Sequence, residues 1–152
     1  KKIAIVSCMD TRLTELLLAA LGLKNGDVKL IKNAGGVVMS PFDSTIRSLL
    51  VGIYELDVRE IMIVGHTDCG AQHLDSEEII KKMLDRGISR DRINMMKSCG
   101  ITFEQWLCGF NSLEKAVSES VQLVANHPLI PADVKVRGFV IDSVTGKLAE
   151  IL

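Results

Sequence analysis

The sequence carries almost no net charge, −1 over 152 residues, and its pI is near 6.3. That argues against a surface built for nucleic acid or anionic lipid, which needs a basic excess. Basic residues do gather between Lys81 and Lys97, but Asp85 and Asp91 interrupt them. They are expected to form a solvated helix and loop. No apolar run approaches bilayer length. The opening Lys1-Lys2-Ile3-Ala4-Ile5-Val6 ends its apolar stretch after four residues, too few for a signal peptide. An initiator Met is absent as well, which leaves room for residues ahead of Lys1. The G-x-G-x-x-G dinucleotide fingerprint and any phosphate loop are missing. Repeats, low-complexity tracts and linkers are missing too, so residues 1–152 are expected to form a single domain. With 47% hydrophobic and 24% charged residues, disorder is excluded. Four cysteines without a secretion signal suit a reducing compartment, the cytoplasm by default.

What is present is an alternation of apolar β-rich runs with helix-period segments, the pattern of an α/β fold. The expected architecture is a mostly parallel central sheet of about four strands, with an antiparallel edge strand and flanking helices. Ile3–Ser7, Val28–Ile31, Ile61–Val64 and Val136–Ile141 read as the parallel strands, and Leu148–Ile151 as the edge strand after a turn at Val144–Lys147. Leu13–Leu21 reads as a short helix. Pro41-Phe42-Asp43-Ser44 starts another, on which Ile46, Leu49, Leu50, Ile53 and Tyr54 make one apolar face. Asn111-Ser112-Leu113-Glu114 resembles a capping box for a helix lasting to about Asn126. Between Leu74 and Phe110 the pattern supports one helix and a short one near Phe103–Leu107.

Two motifs carry chemistry: Cys8-Met9-Asp10-Thr11-Arg12 and His66-Thr67-Asp68-Cys69-Gly70. Each follows a predicted strand, at the carboxyl edge where open α/β sheets hold ligands. If the first and third strands are neighbours, about 4.8 Å apart, Cys8 and His66 project toward one point. Cys69 can curl back to it. Zinc accepts this mixture of thiolate and imidazole, and three ligands leave a tetrahedral ion one position short, the signature of a catalytic site. Asp10 can accept a hydrogen bond from metal-bound water or ligate the metal, and Arg12 can hold it ionised in a bidentate pair. Asp68 is expected to cap a helix starting near Cys69. Cys99 and Cys108, beside Met95, Met96, Phe103 and Trp106, are expected in an apolar core. Surface or cap positions suit His73 and His127. The glycines of Asn33-Ala34-Gly35-Gly36 permit close approach to either substrate or packed chain.

Cys-x-Asp-x-Arg after the first strand and His-x-x-Cys-Gly after the third resemble the signature of β-class carbonic anhydrases. Asn33-Ala34-Gly35-Gly36, Ile46-Arg47-Ser48-Leu49, Gly138-Phe139-Val140-Ile141-Asp142 and Thr145-Gly146-Lys147-Leu148 resemble the compact bacterial branch; residues 74–111 match least. The resemblance implies reversible hydration of carbon dioxide to bicarbonate and a proton through zinc-bound hydroxide. It implies one Zn²⁺ per chain held by Cys8, His66 and Cys69, with Asp10 orienting the hydroxide and Arg12 its partner. Two thiolates make bound water less acidic, so activity is expected to rise into mildly alkaline pH. In some relatives the counterpart of Asp10 leaves its arginine and closes the site. A homodimer or higher homo-oligomer is also implied, with Val37, Val38 or Phe42 near the cleft. Lys32 departs from the family, where many relatives carry the Arg that helps bind a regulatory bicarbonate. Two other readings stay open: hydrolysis of carbon disulfide or carbonyl sulfide at the same site, and a non-catalytic zinc-binding scaffold.

Overall fold

A computed structural model describes all 152 residues, Lys1–Leu152. Five strands form one sheet: β1 (Ile3–Cys8), β2 (Lys29–Asn33), β3 (Glu60–His66), β4 (Lys135–Ile141) and β5 (Leu148–Glu150). Their spatial order is β2-β1-β3-β4-β5. The first four are parallel and β5 pairs antiparallel with β4, opposite Phe139 to Ile141. β1 and β3 are therefore the interior pair that the motif argument required.

The helices are α1 (Leu13–Ala20), α2 (Ser44–Leu56), α3 (Ser76–Asp85), α4 (Arg90–Ser98), α5 (Phe103–Trp106) and α6 (Leu113–Ala125). None is long and apolar enough to cross a membrane. The chain divides into two compact units, one of residues 1–69 with 112–152 and the other of residues 70–111.

In the first unit, one sheet face is a core of Ala4, Val6, Ile61 and Ile63 with Ile46 and Leu49 of α2 and Val117, Val121 and Val124 of α6. Ile5 and Met62, which alternate to the other face, are buried too. Both faces are thus covered, as a parallel sheet requires. α2 begins where the Pro-Phe-Asp-Ser signal placed it: the Asp43 carboxylate accepts the Ile46 N–H at 2.8 Å. Its apolar face is narrower than expected, because Leu50 and Ile53 are half-buried and Tyr54 is exposed. The Tyr54 hydroxyl instead donates to the Leu129 carbonyl at 2.8 Å. α6 starts with half a capping box: Ser112 accepts from the Lys115 N–H, and Lys115 at that position cannot reciprocate as Glu would. It lies close to the sheet at Gly65, where a Cβ would meet Val117 Cγ2 at 2.6 Å.

The second unit has its own small core of Ile80, Ile93 and Phe103. Here the expectation of a buried cysteine cluster is corrected. Cys99 and Cys108 are exposed, as are Met95, Met96 and Trp106. Three short helices cannot enclose that many apolar side chains in a unit of this size. The basic residues from Lys81 to Lys97 are exposed, in line with a solvated run.

Candidate metal centre

Cys8 ends β1 and His66 ends β3, so two adjacent strands deliver them to the carboxyl edge of the sheet. Cys69 follows three residues later, after a tight turn through Asp68. All three are buried, His66 completely. The Cys8 and Cys69 sulfurs and a ring nitrogen of His66 lie within 4.8 Å of one another. The two sulfurs are 3.8 Å apart, well beyond the roughly 2.05 Å of a disulfide.

The tautomer of His66 follows from its neighbour. Nδ1 lies 2.8 Å from the Thr67 carbonyl oxygen, which can only accept, so Nδ1 carries the proton. Thr67 is itself fixed: its N–H donates to the Ile141 carbonyl at 3.0 Å, and its hydroxyl accepts the Ser143 N–H at 3.0 Å. The Nε2 lone pair then faces the two thiols, buried and without a hydrogen-bond partner. Ser7 Oγ is the other such atom. A buried acceptor left in this state costs roughly 1–3 kcal/mol. A lone pair aimed at two sulfurs, with the opposite ring nitrogen tied to a backbone carbonyl, fits a zinc ion by donor type and orientation.

Beside this cluster Arg12 grips Asp10. Nε donates to Oδ1 at 3.0 Å, Nη2 to Oδ2 at 2.8 Å, and the Arg12 backbone N–H to Oδ1 at 2.9 Å. The side-chain bonds from Arg12, then its backbone bond, hold the Asp10 carboxyl well below the usual carboxylate range. Asp10 Oδ2 lies 3.9 Å from His66 Nε2, so the ionised acceptor faces the same point as the three donors.

Asp68 does not cap a helix. Only a 3₁₀ turn, Gly70–His73, follows, and Asp68 itself is left-handed, with φ of 53°. It accepts from Arg12 instead, through its carboxylate at 3.0 Å and its carbonyl at 2.8 Å. The glycine loop is packed against chain. A Cβ on Gly36, at φ of +64°, would lie 2.7 Å from the Cys8 nitrogen. Asn33 ties off this loop, donating to the Val37 carbonyl at 2.8 Å and accepting the Val37 N–H at 3.2 Å. Thr67 and Ser143 were given no role from sequence, and Asn33 was read only as part of the Asn33-Ala34-Gly35-Gly36 loop; an Asn just ahead of such a glycine turn is a residue that can satisfy its own turn.

The remaining candidates lie outside the cluster. Cys99 and Cys108 belong to the second unit, and Cys108 donates to the Gln105 carbonyl. His73 is exposed. His127, expected at the surface or in a cap, is buried; Nδ1 accepts the Leu129 N–H and Nε2 donates to the Pro41 carbonyl at 2.9 Å.

The family model described as "Carbonic anhydrase" matches residues 3–148. The Bacillus subtilis (strain 168) protein named "Putative carbonic anhydrase YvdA" is 51% identical over 152 residues, covering 100% of this chain and 77% of its own. The crystal structure of the β-carbonic anhydrase isoform I of Trichomonas vaginalis superposes with a TM-score of 0.91 at 38% identity, over 99% of this chain and 82% of that one. A carbon disulfide hydrolase from Acidithiobacillus thiooxidans is 29% identical over 157 residues, covering 97% of this chain and 76% of its own.

Proposed function

The chain belongs to the β-carbonic anhydrase family, and from that membership we propose that Cys8, His66 and Cys69 hold one zinc ion per chain for the reversible hydration of carbon dioxide to bicarbonate and a proton. The observation that carries this reading is the unpartnered His66 Nε2 facing two sulfurs. Zinc, when bound, supplies a Lewis acid that makes water a nucleophile near neutral pH.

The chain's own groups do the rest. Thr67 keeps the proton on Nδ1 of His66, so that Nε2 stays a donor of electrons. Arg12 keeps Asp10 ionised, leaving it acceptor-only. Asp10 Oδ2 can then take a hydrogen bond from a water molecule and fix which way its lone pair points toward the substrate carbon. Arg12 satisfies three of the lone-pair sites on Asp10 and leaves capacity for that one bond. The pair of thiols, which must stay reduced to bind a metal, suits a cytoplasmic site of action.

The test is stopped-flow hydration on protein of measured zinc content. One zinc per chain is expected, with Cys69→Ala losing both the metal and at least about 100-fold in activity. A metal-free, fully active chain, or a zinc-loaded chain with no activity, would overturn the proposal. The likeness to a carbon disulfide hydrolase keeps that reaction as a second reading of the same ligand set. Turnover of carbon dioxide, carbonyl sulfide and carbon disulfide by one preparation separates the two.

Self-association belongs to the same proposal. Phe42 projects from the surface, 86% exposed, beside an apolar cavity of about 220 Å³ lined by Ile46, Leu50, Val51, His127 and Leu129. A projection next to a hollow on one face is self-complementary under two-fold symmetry, each copy filling the other.

A further inference from the structure

Arg12 does more than pair with Asp10. Its guanidinium has five N–H donors, and four bonds are made: two to the Asp10 carboxylate, one to the Asp68 carboxylate and one to the Asp68 carbonyl. Asp10 lies two residues after Cys8, and Asp68 lies one residue before Cys69. One side chain therefore spans the two loops that carry the two sulfurs.

Asp68 reaches Arg12 with both its groups only because its backbone is left-handed, φ 53°. An L-residue pays for that conformation, and glycine, the usual occupant, could supply the carbonyl but no carboxylate. Strain kept at a site of this kind points to a task. We propose that Asp68 is a positioning residue: its left-handed backbone and its carboxylate anchor Arg12, which thereby clamps the Cys8 loop to the Cys69 loop. The inference rests on the zinc reading above. It assigns Asp68 no contact with substrate, and its carboxylate, 85% exposed, contributes modestly.

The experiment measures zinc affinity by competition with a chelator, alongside kcat and KM, for Asp68→Asn, Asp68→Gly and Asp68→Val. Asp68→Asn keeps the shape and loses the charge, so zinc affinity falls about two- to five-fold, the range of an exposed ion pair. Because the effect passes through Arg12, the same substitution in an Arg12→Ala background adds nothing further. Asp68→Gly keeps the backbone and matches Asp68→Asn. Asp68→Val, β-branched and an outlier in this region, turns the carbonyl away and weakens zinc about ten-fold or more. In each variant kcat falls while KM stays. An Asp68→Asn effect that persists undiminished without Arg12, or an Asp68→Val variant equal to Asp68→Gly, overturns the positioning role while the metal reading stands. An unmodified chain that takes up no zinc overturns both together.

Discussion

Gly36 shows how closely one residue can govern the site. Its missing side chain is what allows the loop after β2 to lie on the backbone of Ser7 and Cys8. Gly36→Ala would force a methyl to 2.7 Å from the Cys8 nitrogen in a conformation disfavoured for alanine. The expected cost is at least about 2 kcal/mol in stability, read by urea unfolding, with weaker zinc uptake because Cys8 shifts. A variant as stable as the parent would show that the loop yields freely. That Cys8, His66 and Cys69 come together, with Asp10 and Arg12 beside them, was legible in the sequence because each sits at or just beyond a strand end, and strands are read from local pattern. Their supports were harder. The carbonyl of Thr67 that selects the His66 tautomer is a backbone group, and any residue type would offer it. The burial of His127 was missed for a related reason: its partners, Pro41 and Leu129, are also backbone groups.

Among the elements, β5 is the shortest strand and depends on a cross-strand ion cluster. Arg137 on β4 donates twice to Glu150 on β5, at 2.8 and 2.7 Å, and once to Glu60 on β3 at 2.9 Å. The Arg137 hydrogen bonds hold the Glu150 carboxyl below its ordinary range. A carboxylate depressed in the folded state stabilises above its unfolded value and loses that contribution as pH falls through the folded one. Glu150→Gln should therefore be less stable than the parent at neutral pH, and the gap should close below about pH 4. Urea midpoints at neutral and acid pH measure it; a gap independent of pH would mean that packing, not charge, holds the edge. Pattern alone found the strands and α1, α2, α5 and α6; ahead of α5 it supported one helix without fixing its ends, where the chain forms both α3 and α4. Arg90–Ser98 buries only Ile93, so no apolar stripe betrays it, and its start is marked by a single Ser89 cap.

At the scale of the molecule, the exposed Phe42 gives self-association a handle that leaves the fold alone. Phe42→Ser removes a side chain with little buried surface, so thermal stability of the isolated chain should hold. Light scattering at micromolar concentration should move from dimer or larger toward monomer; a parent chain already monomeric would dispose of the idea. The sheet order has another consequence. The strands that carry Cys8 and His66 are interior ones, paired on both sides over Ala4–Ser7 and Glu60–Val64. The amides there have no edge from which to fray, so deuterium should enter Val6, Ser7 and Val64 only when the whole sheet opens. Stripping the metal with a chelator should then leave those positions among the slowest to exchange, because the frame that aims the donors is built from hydrogen-bonded backbone.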